Sequence, residues 1–253
     1  MGVPVRYTSV STSAIRPGGL HVIPIKDDNP TRHFPIVTVL LILANIAVFL
    51  YETSLGDAAF SRFITEWSVV PSRLLAAPFS PRELATVFTS MFMHAGWLHV
   101  GGNMLYLWIF GNNVEDRFGR LGFIGFYLVS GIVATAAQIA LGGALDIPSL
   151  GASGAIAGVL AAYAVLFPGA AVITIIPIFF FIEVARIPAI FVIGFWFILQ
   201  LGNGIASLAP AVAQAGGVAW FAHLGGFAAG LVMALALRVF EGTRKRFSDA
   251  GWR

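Results

Sequence analysis

The sequence contains no cysteine and very little charge. The absence of cysteine excludes disulfide bonds and thiolate metal sites. Only 11% of the 253 residues are charged and 58% are hydrophobic, whereas soluble domains carry about 25% charged residues. This composition excludes a water-soluble globule. The basic isoelectric point, near 9.6, does not indicate nucleic-acid binding, because the basic residues follow the ends of apolar segments.

Five stretches have no charged residue at all: 33–51, 84–114, 121–145, 147–182 and 187–237. A helix that crosses a bilayer needs about 20 apolar residues, so the last stretch, interrupted near Gln214, holds two crossings. The pattern predicts an all-α membrane protein with six spans, at about 36–51, 95–111, 121–143, 150–167, 187–209 and 218–237.

These spans divide the chain into a polar, poorly ordered tail (1–35), a six-helix membrane domain (36–237) and a basic tail (238–253). The long first loop, 52–93, alternates apolar and charged residues, which is typical of a segment lying in the membrane interface. The apolar segment 171–182 is too short to cross and contains Pro177, so it is also predicted to be interfacial.

Basic residues are distributed unequally between the two sides of the predicted membrane. Twelve of the fifteen lie in the two tails and the even-numbered links, and the other three lie in the first loop. The positive-inside rule therefore places both termini in the cytoplasm. Because the sequence shows no organellar presequence, we expect a multi-pass protein of a bacterial plasma membrane.

This topology brings polar residues of spans two, four and six to one depth below the outer face. His99, Ser153 and His223 lie about three to five residues into their spans, within one helical turn of each other. Asn103 follows His99 by four residues and shares its face. Ionisable groups in a membrane usually face a cavity, so we expect a shared polar pocket.

A serine and a histidine at this depth are the elements of nucleophilic catalysis, because histidine can act as a base near neutral pH. His223 is the better base, since the small residues Gly226 and Gly230 press its helix against a partner. His99 suits oxyanion stabilisation. The nearest carboxylate, Asp146, is a loop charge, so we predict a Ser–His dyad without a third member, and no metal or cofactor.

Four motifs of this sequence resemble those of the rhomboid intramembrane serine proteases. They are GASGA at 151–155, His-x-x-x-Asn at 99–103, Ala-His-x-x-Gly-x-x-x-Gly at 222–230 and Glu-x-Arg at 115–117. The resemblance covers about 23–237 and implies a six-transmembrane-helix rhomboid bundle whose site opens to the outer aqueous side. It implies Ser153 as nucleophile and His223 as base. His99 and Asn103, beside the backbone amide of Ser153, are the implied oxyanion donors.

The resemblance also implies residues of structural importance: Gly151, Gly154, Glu115, Arg117, Gly226 and Gly230. Glu115 and Arg117 are expected in a network at the inner face. One position departs from some family members, which have an aromatic residue where this chain has Ala157. That aromatic stacks on the catalytic histidine, and Trp220 or Phe221 is a candidate substitute here.

Three functions are compatible with these observations. The first is a serine endopeptidase that cleaves single-pass membrane proteins within the bilayer. The second is a non-catalytic rhomboid-like scaffold that binds transmembrane helices, and the third is a transporter or channel. The presence of both Ser153 and His223 favours the first. The expected partners are transmembrane substrates and lipid, with no nucleic acid, and the sequence indicates no oligomeric state.

Overall fold

The computed structural model describes residues 23–178, 181–209 and 217–249. The helices within these ranges are α1 (Ile36–Ser54), α2 (Asp57–Trp67), α3 (Pro71–Ala76), α4 (Pro81–Thr89), α5 (Trp97–Phe118), α6 (Arg120–Leu141), α7 (Ser153–Leu166), α8 (Ala189–Ala206) and α9 (Trp220–Asp249). The strands are β1 (Ile23–Asp27), β2 (Ala171–Ile178) and β3 (Phe181–Pro188).

Each predicted span coincides with one helix, namely α1, α5, α6, α7, α8 or α9. Within the described residues, four of them (α1, α6, α8 and the first part of α9) are long and apolar enough to cross a membrane. The chain is therefore an integral, multi-pass membrane protein. Helix α5 has the length but carries several polar residues, and α7 has only 14 residues. The exact count of six crossings stays a prediction.

Helix α7 is the centre of the bundle, and eleven of its fourteen residues are buried. Its small side chains allow α9 to approach closely. A Cβ atom added to Gly226 would lie 1.8 Å from the carbonyl oxygen of Gly154, and one on Gly230 would lie 2.1 Å from that of Gly158. The four-residue glycine spacing in α9 thus brings its backbone against the backbone of α7.

The first loop folds into α2, α3, α4 and a 3₁₀ turn at Ser90–Phe92. Arg73 in α3 forms an ion pair with Glu83 in α4 at 3.0 Å, which ties these short helices together. The loop also holds the segment that leads into α7. Val69 and Ser149 exchange two backbone hydrogen bonds, and the Gly151 amide donates to the Ser90 carbonyl at 2.8 Å.

A three-stranded antiparallel sheet in the order β1-β2-β3 departs from the all-α prediction. Within the segment 171–182, predicted to be interfacial, residues 171–178 form β2 and residues 181–182 begin β3. Its β-branched residues favour strands, and pairing satisfies their backbone groups. The prediction of a poorly ordered 1–35 tail is wrong for residues 23–27, which pair with β2, and residues 1–22 lie outside the described residues. On the inward face of the sheet, Val172 and Thr174 are fully buried.

Polar contacts attach this sheet to the end of the bundle where α1 begins. The Tyr163 hydroxyl at the end of α7 donates to the Asp27 carboxylate at 2.6 Å. Burial raises the pKa of Asp27. Asp28 accepts hydrogen bonds from Arg186 in β3 and from the Ala171 amide. The Arg186 hydrogen bond is the main cause of the lowered pKa of Asp28.

Glu115 and Arg117, near the end of α5, contact different elements. The buried Glu115 carboxylate accepts from the amides of Val37 and Thr38 at 3.0 and 2.8 Å, so it caps the start of α1. Arg117 instead forms an ion pair with Glu241 in α9. The two residues stabilise the same end of the bundle separately, α5 to α1 and α5 to α9.

Candidate active site

Ser153 is the first residue of α7, so its side chain and its amide lie at the positive end of the helix. The preceding turn depends on Gly151, whose φ of +128° is unfavourable for other residues. A Cβ atom at Gly151 would also lie 2.8 Å from Nε2 of His99. Glycine is therefore required here both for the turn and for the approach of His99.

His223 in α9 is the partner of this serine. Its Nε2 atom lies 2.8 Å from Oγ of Ser153. The contact depends on the Gly154–Gly226 crossing, which lies one residue beyond the serine and three beyond the histidine. The histidine is buried and the serine is half-buried. The arrangement therefore allows proton transfer from the hydroxyl to the ring within a largely water-excluded site.

The other side of the His223 ring contacts α8. Nδ1 lies 2.7 Å from Oε1 of Gln200, which is itself buried. The Trp196 ring lies 5.7 Å away, tilted by 39°, and the Trp220 ring lies 6.1 Å away, edge-on. Trp220 is a predicted aromatic neighbour of this ring, whereas no sequence motif pointed to Gln200 or Trp196. A signal existed, because an amide in a charge-free membrane helix usually faces the bundle interior.

His99 lies beside the serine, whereas Asn103 points elsewhere. The site that a Gly151 Cβ atom would occupy is 2.8 Å from His99 Nε2 and 3.6 Å from Ser153 Oγ, so the imidazole borders the serine turn. The Asn103 amide nitrogen contacts Nε2 of His94 at 2.9 Å. The structure thus places the His99 ring at the turn that precedes Ser153 and gives Asn103 a partner other than the serine.

His94 and Glu52 form a second buried group, next to His99, that the sequence pattern does not predict. The His94 amide donates to the Glu52 carboxylate at 3.1 Å, and the His94 ring contacts that of His99 edge-on with centroids 5.0 Å apart. Both His94 and Glu52 are at most 1% exposed. The Glu52 carboxylate is therefore bound to the backbone amide of His94 and does not contact His223. The side chain that faces Nδ1 of His223 is the amide of Gln200.

A small, partly open cavity adjoins Ser153, with about 20 Å³ of space for the centre of a water-sized sphere. Small side chains form most of its wall. The lining residues include Gly131, Ala134, Thr135, Gly154, Ala219 and Ala222. Space next to the serine therefore fits a small side chain.

The sequence profile of the Rhomboid domain matches residues 81–240, which is more than half of the chain and includes every residue of this site except Glu52. The chain belongs to the rhomboid family. The serine, His99 and His223 of this rhomboid all fall within the matched region.

Relatives of this rhomboid occur in mitochondria and in a bacterium. Rhomboid protein 1, mitochondrial, from Saccharomyces cerevisiae is 36% identical over 35% of this chain and 27% of its own length. The presenilin-associated rhomboid-like protein, mitochondrial, from Bos taurus is 33% identical over 56% of this chain and 36% of its own. Rhomboid protease GluP from Bacillus subtilis is 30% identical over 51% of this chain and 24% of its own length.

The matched region therefore spans about a third or less of each of these relatives. Two of the three are mitochondrial, so the comparison does not support the expected bacterial plasma membrane. What it supports is an integral membrane protein of the rhomboid family.

Proposed function

We propose that this rhomboid is an intramembrane serine endopeptidase that hydrolyses peptide bonds in or near transmembrane segments. The observation that carries the proposal is the 2.8 Å contact between Ser153 Oγ and His223 Nε2. A nucleophile and a base at this distance are the minimum requirement for acyl transfer. The name of the Bacillus subtilis relative, a rhomboid protease, agrees with this reaction.

In the proposed reaction His223 Nε2 accepts the hydroxyl proton as Ser153 Oγ attacks the scissile carbonyl carbon. The oxyanion forms beside the Ser153 amide, at the positive end of α7, with His99 as a side-chain donor. His223 then returns the proton to the leaving amine, and an acyl-enzyme remains on Ser153. A water molecule, deprotonated by His223, hydrolyses that ester and restores the serine.

Asn103 has an indirect role in this scheme. Its amide contacts His94, and the His94 ring packs against His99. Asn103 therefore supports the position of His99, and an oxyanion contact of its own stays a prediction from the family resemblance.

The cavity supports a preference for substrates with a small residue next to the scissile bond. Most of its lining residues are glycine, alanine, serine or threonine, with Met91 and Leu150 as the larger ones, so little space is left for a bulky side chain beside Ser153. The proposed substrates are membrane proteins whose helix unwinds near such a residue, because a helical peptide bond is shielded by its own hydrogen bonds.

The proposal is tested with purified protein in detergent, a generic transmembrane substrate and a fluorophosphonate probe that requires an activated serine. We expect the wild type to cleave and to be labelled, and Ser153→Ala and His223→Ala to do neither. Removal of the oxyanion donor in His99→Ala should reduce turnover by about 100-fold or more.

Folding of each variant is checked by its thermal unfolding midpoint. Cleavage by folded Ser153→Ala would refute the serine mechanism. A wild type that neither cleaves nor reacts with the probe would favour the non-catalytic scaffold that binds transmembrane helices.

A further inference from the structure

We propose that Gln200 is a positioning residue that holds His223 in the base-competent tautomer, as the third member of a Ser–His–Gln arrangement. This inference rests on the proposed peptidase function. Gln200 lies in α8, outside the two helices that carry the serine and the histidine. Its side-chain oxygen lies 2.7 Å from Nδ1 of His223, opposite the serine contact.

The identity of the facing atom decides the tautomer. Oε1 of an amide carries no hydrogen and can only accept, so Nδ1 of His223 carries the ring proton. In the neutral ring, Nε2 then has a free lone pair, and it lies 2.8 Å from the Ser153 hydroxyl. A ring with its proton on Nε2 would donate to Ser153 and would be unable to act as a base.

Packing alone does not select between the two neutral tautomers of the His223 ring. Trp196 and Trp220 border the ring and limit its tilt, but indole rings impose no preference between the two ring nitrogens. Among the described residues no carboxylate contacts His223, and its side-chain hydrogen bonds go to Gln200 and to Ser153. Gln200 therefore supplies the orientation that an aspartate supplies in a serine triad.

The amide suits a buried site in a membrane. Gln200 is 8% exposed and His223 is 7% exposed. A carboxylate at this position would have to leave water without a permanent positive partner, which is costly in a membrane. A neutral acceptor orients the ring without that cost, although it stabilises the charged imidazolium less than a carboxylate does.

The close approach of α8 to α9 makes the contact possible. A Cβ atom added to Gly204 would lie 3.4 Å from Cβ of Trp220, an ordinary van der Waals distance, so the two helices are in contact one turn after Gln200. The amide therefore reaches the imidazole directly.

The test compares Gln200→Leu, Gln200→Met, Gln200→Glu and the control Asn203→Ala. Leucine and methionine preserve volume without accepting a hydrogen bond, and Asn203 is exposed on the same helix. The measurements are the rate constant for fluorophosphonate labelling of Ser153 across pH, cleavage of the transmembrane substrate and the thermal midpoint.

We expect Gln200→Leu and Gln200→Met to label about tenfold more slowly, as loss of one hydrogen bond predicts, with folding retained in at least the flexible methionine variant. Gln200→Glu should label faster than the leucine and methionine variants, because the carboxylate also accepts the hydrogen bond from Nδ1. The acid limb of its pH profile should move to higher pH by about one unit, because a carboxylate favours the protonated, charged imidazole. Asn203→Ala should match the wild type.

Equal labelling rates for the wild type, Gln200→Leu and Gln200→Met would overturn the inference while leaving the peptidase proposal intact. So would a glutamate variant as slow as the leucine variant with an unmoved acid limb, since that result indicates packing alone. Failure of the wild type to label at Ser153 would instead refute the proposed function.

Discussion

A methyl group added to Gly226 should separate the serine from its base. In Gly226→Ala the new Cβ atom would begin 1.8 Å from the Gly154 carbonyl oxygen and 2.8 Å from its carbon. Ordinary non-bonded contact needs about 3.5 Å, so α7 and α9 must part by roughly 1.5 Å at this level. Both obstructing atoms belong to backbone, and no side chain can rotate away to relieve the contact.

The separation acts directly on the catalytic pair, because Gly154 follows Ser153 and Gly226 lies one turn after His223. The 2.8 Å contact would lengthen beyond the roughly 3.5 Å at which a hydrogen bond ceases to count. Overpacking of this kind costs about 1–3 kcal/mol of stability, and misplacement by about 1 Å can reduce a rate by about 100-fold. We therefore expect a folded but nearly inactive variant.

The measurements are the fluorophosphonate labelling rate of Ser153 and the thermal midpoint in the same detergent. Gly242→Ala is the matched control, since it lies in the same helix and a Cβ atom there meets nothing within 4 Å. The control should label at the wild-type rate. Wild-type labelling by Gly226→Ala would show that the glycine crossing does not set the Ser–His distance, and the reasoning would be refuted.

Two further predictions concern the opposite end of the bundle. Glu115→Gln should lower the free energy of unfolding by about 2 kcal/mol, because the buried carboxylate that accepts from two amides and the Thr38 hydroxyl is lost. Thermal unfolding measures this change, and the rate of Ser153 labelling below the unfolding midpoint should stay the same. The Arg186 hydrogen bond lowers the pKa of Asp28, so its stabilisation is present above the unfolded-state pKa, near 4, and is lost as pH falls through the folded-state value. The thermal midpoint of Asp28→Asn should therefore lie below that of the wild type at pH 7 and approach it as the pH falls below about 4, and a constant difference would contradict the assignment.

The sequence was sufficient to locate the six predicted spans and to bring Ser153 and His223 to one depth. A long run without charge has few alternatives to a membrane helix, and each of the six predicted spans coincides with one helix of the structure. Counting residues from the membrane surface placed Ser153 and His223 at one depth, because helical rise is constant, and the resemblance to the rhomboid family implied that they pair. Glycines four apart indicated that the helix of His223 packs closely, and the structure places α7 against it.

Contacts that depend on side-chain direction were harder to predict. Spacing put His99 and Asn103 on one helical face, but spacing does not say which neighbour that face meets, and the Asn103 amide meets His94. Gln200 belongs to no motif, and only the packing of α8 against α9 brings it to the imidazole. The strands were missed because a short apolar run such as 171–178 reads equally well as an interfacial segment until its partner β1 is found.

The N-terminal end of α8 is held in place next to the sheet. Helix α8 starts directly after β3, and the amide of its first residue, Ala189, donates to the carbonyl of Ala170 at 2.8 Å. Because Ala170 directly precedes β2, this bond holds the N-terminal end of α8 beside the sheet. Gln200 lies eleven residues after Ala189, which is about 16 Å along the helix axis at about 1.5 Å per residue. For a rigid lever of this length, a tilt of only about 7° carries the amide some 2 Å sideways, enough to break its bond to the imidazole. The contact between Gln200 and His223 therefore depends on the tilt of α8 that its attachment beside the sheet sets.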